Sequence, residues 1–177
     1  MSVADISLWA GFFGILAQIG ATLAGLLFVG LTISIEHVIA SRGYLSRGFT
    51  ALALQFEILV IGVFGVAPGQ TATALGPELI LTGLFVLAGV AVFAHNFPED
   101  EKSTVLATRG PRLIRATLTA IATLFPAIAG AGLWLGWRDP LYWIIPAVLA
   151  SVYLSIGYAW IFAIEIPRRR ENQKDQN

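Results

Sequence analysis

The chain has 177 residues, of which 56% are apolar and only 12% are charged, and its 11 basic and 11 acidic side chains balance. Soluble domains carry about a quarter charged residues, so the composition excludes a large soluble domain. The absence of cysteine excludes disulfides, thiolate metal sites and cysteine nucleophiles. Because zero net charge supplies no basic excess, we expect no nucleic-acid partner.

Five long segments contain no Asp, Glu, Lys or Arg, and each is close to the roughly 20 apolar residues that cross a bilayer core. They lie at residues 6–35, 58–77, 79–98, 116–137 and 141–164. The sequence therefore predicts an all-α fold, namely a polytopic transmembrane helical bundle of five spans embedded in a lipid bilayer.

The predicted helices are joined by short connections. A basic segment at residues 41–48 is expected to turn the chain before the second helix, and Pro68 and Gly69 end that helix, because proline cannot continue the hydrogen-bond ladder. Pro77 is placed in the first turn of the third helix, where proline is tolerated. We place the helices at about residues 6–36, 48–67, 77–97, 112–135 and 141–165, within one transmembrane domain over residues 1–166. Residues 167–177 are predicted to form a disordered, solvated cytoplasmic tail.

A second topology has four spans and one re-entrant segment within residues 58–97, which are rich in glycine and have only a short internal link. Five spans are favoured because each half of that stretch is long enough to cross independently.

The distribution of basic residues predicts the orientation. With five spans, ten of the eleven basic residues fall on one side and only Arg138 on the other, so the positive-inside rule places the amino terminus outside and the carboxyl terminus in the cytoplasm. The aromatic residues Trp9, Trp134, Trp137, Tyr142 and Trp143 gather near the predicted outer interface, where such rings prefer to lie.

The first predicted helix has two different faces. At about 100° per residue, small or polar residues share a face with Gln18, whereas the opposite face is mostly bulky and apolar. The residues of the small face are Gly11, Gly14, Gln18, Thr22, Gly25, Val29, Thr32 and Glu36. In lipid, such a face meets protein or water. Two readings stay open, namely helix packing with Gln18 and Thr22 hydrogen bonded to neighbours, and the lining of a hydrated path that ends at Glu36.

Two later helices carry polar stripes of their own. The last helix presents Ser151, Ser155, Tyr158 and Glu165 at helical spacing, and the fourth presents Thr119 and Thr123 beside a kinking Pro126. Packing explains these stripes as well as a path does. The glycines expected at helix contacts are Gly11, Gly14, Gly25, Gly62 and Gly130.

Glu57 is the charged residue that the spans place deepest. It lies nine residues beyond Gly48, which corresponds to a depth of about 13 Å at 1.5 Å per residue, close to the midplane. A carboxylate at that depth indicates a functional site by default, and the alternative is a protonated side chain hydrogen bonded between helices. Gln55 points the other way, and Gln18 and Thr22 lie at a depth suitable for a partner.

The histidines His37 and His95 lie at the ends of the first and third predicted helices. Two axial haem ligands, or a metal site with Glu36 or Glu165, are conceivable, but two histidines without a ligand-spacing motif favour an interfacial role. We therefore expect no metal and no cofactor. The chain has no nucleophile elbow, phosphate-binding glycine loop or zinc-protease motif, so we do not expect an enzyme.

Three stretches resemble a group of small, uncharacterised bacterial membrane proteins. They are AQIGATLAGLLFVGLTI at residues 17–33, Pro68-Gly69-Gln70, and Leu141-Tyr142-Trp143 followed by Pro146. The likeness covers most of the chain up to Ile166, and some members of the group carry the label of modulators of a membrane protease. The resemblance implies a multi-pass protein of the bacterial cytoplasmic membrane and transfers no functional residue.

Two functions are expected from these features. The first is a small homo-oligomeric channel for an inorganic ion, selective for cations or protons, in which polar stripes line the path and Glu57 or Glu36 sets the preference. The alternative is a non-conducting regulatory or binding subunit of another membrane protein, such as a membrane protease or transporter, that uses the same small faces for docking.

Overall fold

The structure is a computed structural model that describes residues 6–40, 42–97 and 109–162. Every regular element in these ranges is helical. Five helices are long and apolar enough to cross a membrane, so the predicted all-helical chain with five such helices is confirmed. We number the helices α1 (Ala10–Ile33), α2 (Ile35–Ala40), α3 (Arg42–Gly65), α4 (Ala72–Asn96), α5 (Arg109–Trp134) and α6 (Ile144–Trp160), with a 3-10 turn at Pro140–Trp143 before α6.

The first predicted helix is divided at Ser34. The α-helical run stops at Ile33 and resumes as α2, and the Ser34 hydroxyl donates to the carbonyl oxygen of Phe162 at 2.6 Å. This buried hydrogen bond joins two segments that are far apart in the chain. The contact also holds the end of α1 against the chain that follows α6.

Helix α3 begins six residues earlier than predicted. The segment expected to be a basic turn is helical from Arg42, and Ser46, Arg47 and Gly48 within it are buried. A Cβ atom built on Gly48 would lie 2.8 Å from the side chain of Leu31, so this glycine lets α1 approach closely. Tertiary packing of this kind outweighs the weak helix propensity of glycine.

Helix α4 also begins early, and Pro77 lies inside it instead of in its first turn. The Thr71 hydroxyl caps the helix by accepting from the amide nitrogen of Ala74 at 3.3 Å. Pro77 has no N–H and so leaves the carbonyl of Thr73, four residues back, without its helical donor. The indole nitrogen of Trp134 lies 3.4 Å from that carbonyl and donates to it. A side chain of α5 therefore compensates for the proline within α4.

Close helix contacts depend on glycines at two seams. In the α1–α3 seam, a Cβ atom on Gly20 would lie 2.6 Å from the backbone nitrogen of Leu59, and one on Gly62 would lie 2.7 Å from the carbonyl oxygen of Phe13. In the α4–α5 seam, a Cβ atom on Gly76 would lie 3.0 Å from the carbonyl oxygen of Gly130. Backbones that approach this closely are typical of packing between membrane helices.

Two apolar clusters fill the bundle, one in each half. The first includes Leu27, Leu54, Val86, Leu154 and Phe162. The second includes Phe13, Leu16, Ile61, Leu79 and Leu141. The two ends of the bundle differ in chemistry. We call the end with Arg47 and Arg115 the basic end. The end with Trp9, Trp134, Trp137 and Trp143 is the aromatic end.

A cavity beneath a buried carboxylate as the candidate functional site

The basic end of the bundle contains a cavity of about 380 Å³ between α3, α4, α5 and α6. Its polar lining comes from two arginines and four hydroxyl-bearing side chains. The lining residues are Ser46, Arg47, Thr50, Leu87, Val90, Ala91, Ala94, Phe97, Arg115, Ala116, Thr119, Ala120 and Tyr158. Ala91, Ala94 and Ala116 are exposed, so the cavity opens sideways between α4 and α5.

Glu57 lies on the same face of α3 as the cavity. Thr50 and Ser46 precede it by seven and eleven residues, which at about 100° per residue places all three within about 20° of one another. Glu57 is 1% exposed, and neither carboxylate oxygen has a hydrogen-bond partner among the described residues. Such a group is costly in an apolar interior.

The register of α3 against α4 fixes the depth of Glu57 relative to the cavity. The rings of Phe49 and Phe93 stack with centroids 4.2 Å apart, so these residues lie at one level. Because α3 and α4 are antiparallel, Glu57, which is eight residues after Phe49, lies level with Phe85, which is eight residues before Phe93. Leu87, one of the lining residues, is therefore within about one helical turn, or 5.4 Å, of the level of Glu57. The part of the cavity lined by Leu87 is therefore near the level of the carboxylate, although Glu57 itself is not one of the lining residues.

Gln55 lies on the opposite face of α3 and joins it to α6. Its amide nitrogen donates to the Ser155 hydroxyl and, at 3.3 Å, to the carbonyl oxygen of Ser151. All three residues are buried. The structure thus brings together three of the predicted polar residues, in a contact that packs two helices.

Two other predicted residues, Thr119 of α5 and Tyr158 of α6, line the cavity. Thr123 is fully buried, and its hydroxyl donates to the carbonyl of Thr119 at 3.0 Å within its own helix. Gly62 and Gly130 lie in the close seams described above.

The small face of α1 points away from the bundle. Gln18, Thr22 and Gly25 are exposed, as are Gly11 and Glu36, and a Cβ atom on Gly25 would meet nothing within 4 Å. Gly14 is half-buried, with its Cβ position 3.9 Å from the side chain of Val66. The opposite, bulky face packs within the bundle and supplies the buried Phe13, Leu16 and Leu27.

The reason is that the space-making glycines of the α1–α3 seam are mostly on α3. A Cβ atom on Gly65 would overlap the ring of Phe13, and one on Gly48 would press on Leu31. The bulky residues of α1 therefore fill grooves in α3. Because neither carboxylate oxygen of Glu57 has a hydrogen-bond partner among the described residues, a pairing of Glu57 with Gln18 or Thr22 is not observed.

No group of three or more His, Cys, Asp or Glu residues suited to a metal ion occurs in the described part of the chain. His95 is exposed at the end of α4. The side chain of His37, and Glu165 with the predicted tail at residues 167–177, lie outside what the structure describes.

Sequence reasoning missed Arg47 as a buried residue, because it assigned the segment around Arg47 to a loop. The signal that could have found it is the continuation of the Glu57 stripe through Thr50 to Ser46, which extends the helix across that segment. It also missed a polar contact at the aromatic end, where the amide nitrogen of Gln70 donates to Glu78 at 2.7 Å and to the carbonyl of Phe64 at 3.0 Å.

Five helices of membrane-spanning length and composition support a multi-pass membrane protein. Comparison of the chain with family models, with curated proteins and with solved structures gives no match.

Proposed function

We propose that the protein carries protons across a membrane through the interior of its own helical bundle, and that Glu57 is the group that takes up and releases them. The observation that supports this proposal is the position of Glu57, which is buried without a hydrogen-bond partner among the described residues, on the face of α3 that also carries the cavity-lining Thr50 and Ser46. An ionisable side chain deep within a membrane span is a functional residue by default.

A proton suits this site better than a metal cation. Hard cations require about six oxygen ligands, whereas a carboxylate binds a proton with no other ligand. The neighbours of Glu57 on its own stripe are Ala53, Val60 and Phe64, which offer no side-chain oxygen.

The two sides of Glu57 differ. Hydroxyl-bearing residues lie toward the basic end, whereas the apolar cluster with Ile61, Leu79 and Leu141 fills the other side. In the described conformation, Glu57 therefore exchanges protons with the solution at the basic end and not with the solution at the aromatic end. Transport requires a second conformation that hydrates the apolar side, as in alternating-access proteins.

The positive-inside rule assigns the basic end to the cytoplasm and the amino terminus to the outside. The sequence resemblance adds a bacterial cytoplasmic membrane as the location. On this assignment, the cavity lies at the cytoplasmic end of the bundle, and Glu57 exchanges protons with the cytoplasm.

The test is ion flux through purified protein in liposomes. With a pH gradient and valinomycin to balance charge, an enclosed pH-sensitive dye should report faster proton entry than in empty vesicles. Sodium flux, and potassium flux in vesicles without valinomycin, should stay at the level of empty vesicles. Proton entry no faster than in protein-free vesicles across a series of pH and voltage would refute the proposal.

A second candidate function, docking to another membrane polypeptide, is favoured by the outer face of α1. Gln18 lies on this face, exposed, in the middle of a helix of membrane-spanning length. A side-chain amide exposed to lipid gains from a hydrogen bond across a helix interface. The neighbouring Gly11 and Gly25 allow another helix to approach.

A photoreactive amino acid in place of Gln18 tests this candidate in native membranes, with the buried Gln55 position as the matched control. We expect a crosslinked product from position 18 and none from position 55. The mass of the product separates a second copy of the chain from a different protein. If both positions give only uncrosslinked chain, the docking role is excluded.

A further inference from the structure

A second carboxylate lies beyond the apolar cluster that separates Glu57 from the aromatic end. Glu78, near the start of α4, is half-buried, and its Oε2 atom accepts a hydrogen bond from the side-chain nitrogen of Gln70 at 2.7 Å. Among the described residues, Gln70 is its hydrogen-bond partner and engages only this oxygen, so Oε1 is able to take up a proton. Residues 66–69, which precede Gln70, are exposed. Glu78 is therefore joined to an exposed loop at the aromatic end.

Two independent contacts place Glu78 level with Phe64 of α3. The stacked rings of Phe49 and Phe93 set the register of the antiparallel helices. Phe64 is 15 residues after Phe49, and Glu78 is 15 residues before Phe93. The side-chain nitrogen of Gln70 reaches both positions, since it also donates to the carbonyl oxygen of Phe64 at 3.0 Å. The ring stack and the Gln70 contacts thus give the same register.

The hydroxyl group of Thr82 lies between the levels of the two carboxylates. The level of Glu57 is seven residues farther along α4 than Glu78, which corresponds to about 10 Å at 1.5 Å per residue. Thr82 is seven residues before Gly89, whose Cβ position is 3.9 Å from the ring of Phe49, so it shares the face of α4 that meets α3. Its buried hydroxyl donates to the carbonyl oxygen of Glu78 at 2.6 Å. The hydroxyl oxygen is still able to accept a hydrogen bond from a water molecule between the carboxylates.

The other acidic residues in the described part of the chain lie elsewhere. Glu36 is exposed at the basic end, and Asp139 is exposed in the loop before α6. Within the described bundle, Glu78 is therefore the acidic side chain that lies between Glu57 and the aromatic end.

We propose that Glu78 is a second proton-binding group, which exchanges protons with the solution at the aromatic end and passes them to and from Glu57. This inference rests on the proposed transport of protons by Glu57. In each transfer, the O–H bond of one carboxylic acid breaks and an O–H bond forms on the other carboxylate. The separation of about 10 Å along the bundle exceeds a hydrogen-bond distance, so the proton passes through water in the conformation that hydrates the apolar side.

Proton entry into liposomes that contain Glu78→Gln tests this role. Glutamine keeps an oxygen that accepts from Gln70 but has no exchangeable carboxyl proton. We expect the variant to unfold at the wild-type Tm and to slow proton entry by about tenfold or more, since a positioned proton-transfer group contributes at least that much to a rate. Asp139→Asn neutralises an exposed acidic residue, serves as the matched control and should conduct like wild type.

A second pair of variants covers the case in which Glu78→Gln unfolds at a lower Tm. Glu78→Asp and Glu78→Asn have side chains of the same size and differ in the exchangeable proton, so Glu78→Asp should conduct protons faster. Equal proton fluxes in these two variants, or wild-type flux in a folded Glu78→Gln protein, would overturn the role of Glu78 and leave the proposed function standing. Absence of proton flux from wild-type vesicles is a different result and would overturn both.

Discussion

At the scale of single residues, glycines divide into those that touch a neighbouring backbone and those that face outward. A methyl group on Gly20 would lie 2.6 Å from the nitrogen of Leu59 and 2.9 Å from the carbonyl oxygen of Gln55, both of which are backbone atoms that move only with the helix. Gly25, five residues later, has open space.

We therefore expect Gly20→Ala to lower the free energy of unfolding by about 1–3 kcal/mol, the usual cost of overpacking. The control, Gly25→Ala, should leave it unchanged or raise it slightly, because alanine is the better helix former. Denaturant titration in mild detergent, followed by circular dichroism, measures both. Equal stability of the two variants would contradict the described α1–α3 seam.

The hydrogen bonds between Gln55 and α6 lead to a second residue-scale prediction. Ser155→Ala removes the hydroxyl that accepts from the Gln55 amide and leaves only the longer bond to the Ser151 carbonyl. We expect a loss of about 0.6–1.7 kcal/mol, the range measured for hydrogen bonds between membrane helices. Thr22→Ala, on the exposed face of α1, is the control for loss of a hydroxyl. If the two variants unfold at the same denaturant concentration, the bond contributes nothing to stability.

Sequence reasoning at this scale located polar residues better than their partners. The depth of Glu57 was predicted from its distance along the helix, because the rise per residue is constant, although that helix begins at Arg42 and not at Gly48. Its surroundings depend on α4 and α5, whose register is set by contacts such as that of Gly83 with the carbonyl of Thr123, and no local pattern specifies these.

At the scale of helices, the register of α3 against α4 sets the level of Glu57 relative to the cavity. The chain contains no cysteine. Two introduced cysteines are therefore its only thiols, and a crosslink between them reports a single distance. Phe49→Cys with Phe93→Cys replaces two stacked rings and should crosslink readily with a short bis-methanethiosulfonate reagent. Phe49→Cys with Phe85→Cys is the control, because Phe85 is 74% exposed and lies about two turns away.

Crosslinked species are separated from single chains by a gel mobility shift after protease cleavage between the two helices. Preferential crosslinking of the control pair would require a different register and would move Glu57 away from the cavity.

Five helices were predictable because charge-free segments of sufficient length are a strong signal. Their ends were not, because glycine and arginine between Arg42 and Gly48 resemble a turn locally, yet pack against α1 within the bundle. The early start of α4 was not predicted for a similar reason. The hydrogen bond that compensates for the missing N–H of Pro77 comes from Trp134, which is far away in the chain.

At the scale of the whole molecule, the proposed five-span topology puts the two ends of the bundle on opposite sides of a membrane. Thr73 and Asp139 are exposed near the aromatic end, and Asn96 is exposed at the basic end. In intact bacterial cells from which the outer membrane has been removed, a membrane-impermeant maleimide should label Thr73→Cys and Asp139→Cys. Asn96→Cys should react only after permeabilisation.

Labelling of Asn96→Cys from outside would reverse the proposed orientation. Protection of Thr73→Cys on both sides would favour a re-entrant segment in place of two full spans.

The central claim is that Glu57 carries the protons, and the proton flux of Glu57→Gln in liposomes, relative to wild type, tests it most directly. Glutamine keeps the size of the side chain but has no exchangeable carboxyl proton, so proton entry should fall to the level of empty vesicles. Asp139→Asn removes an exposed carboxylate from a loop and should conduct like wild type. Wild-type proton flux in a correctly folded Glu57→Gln protein would contradict the account.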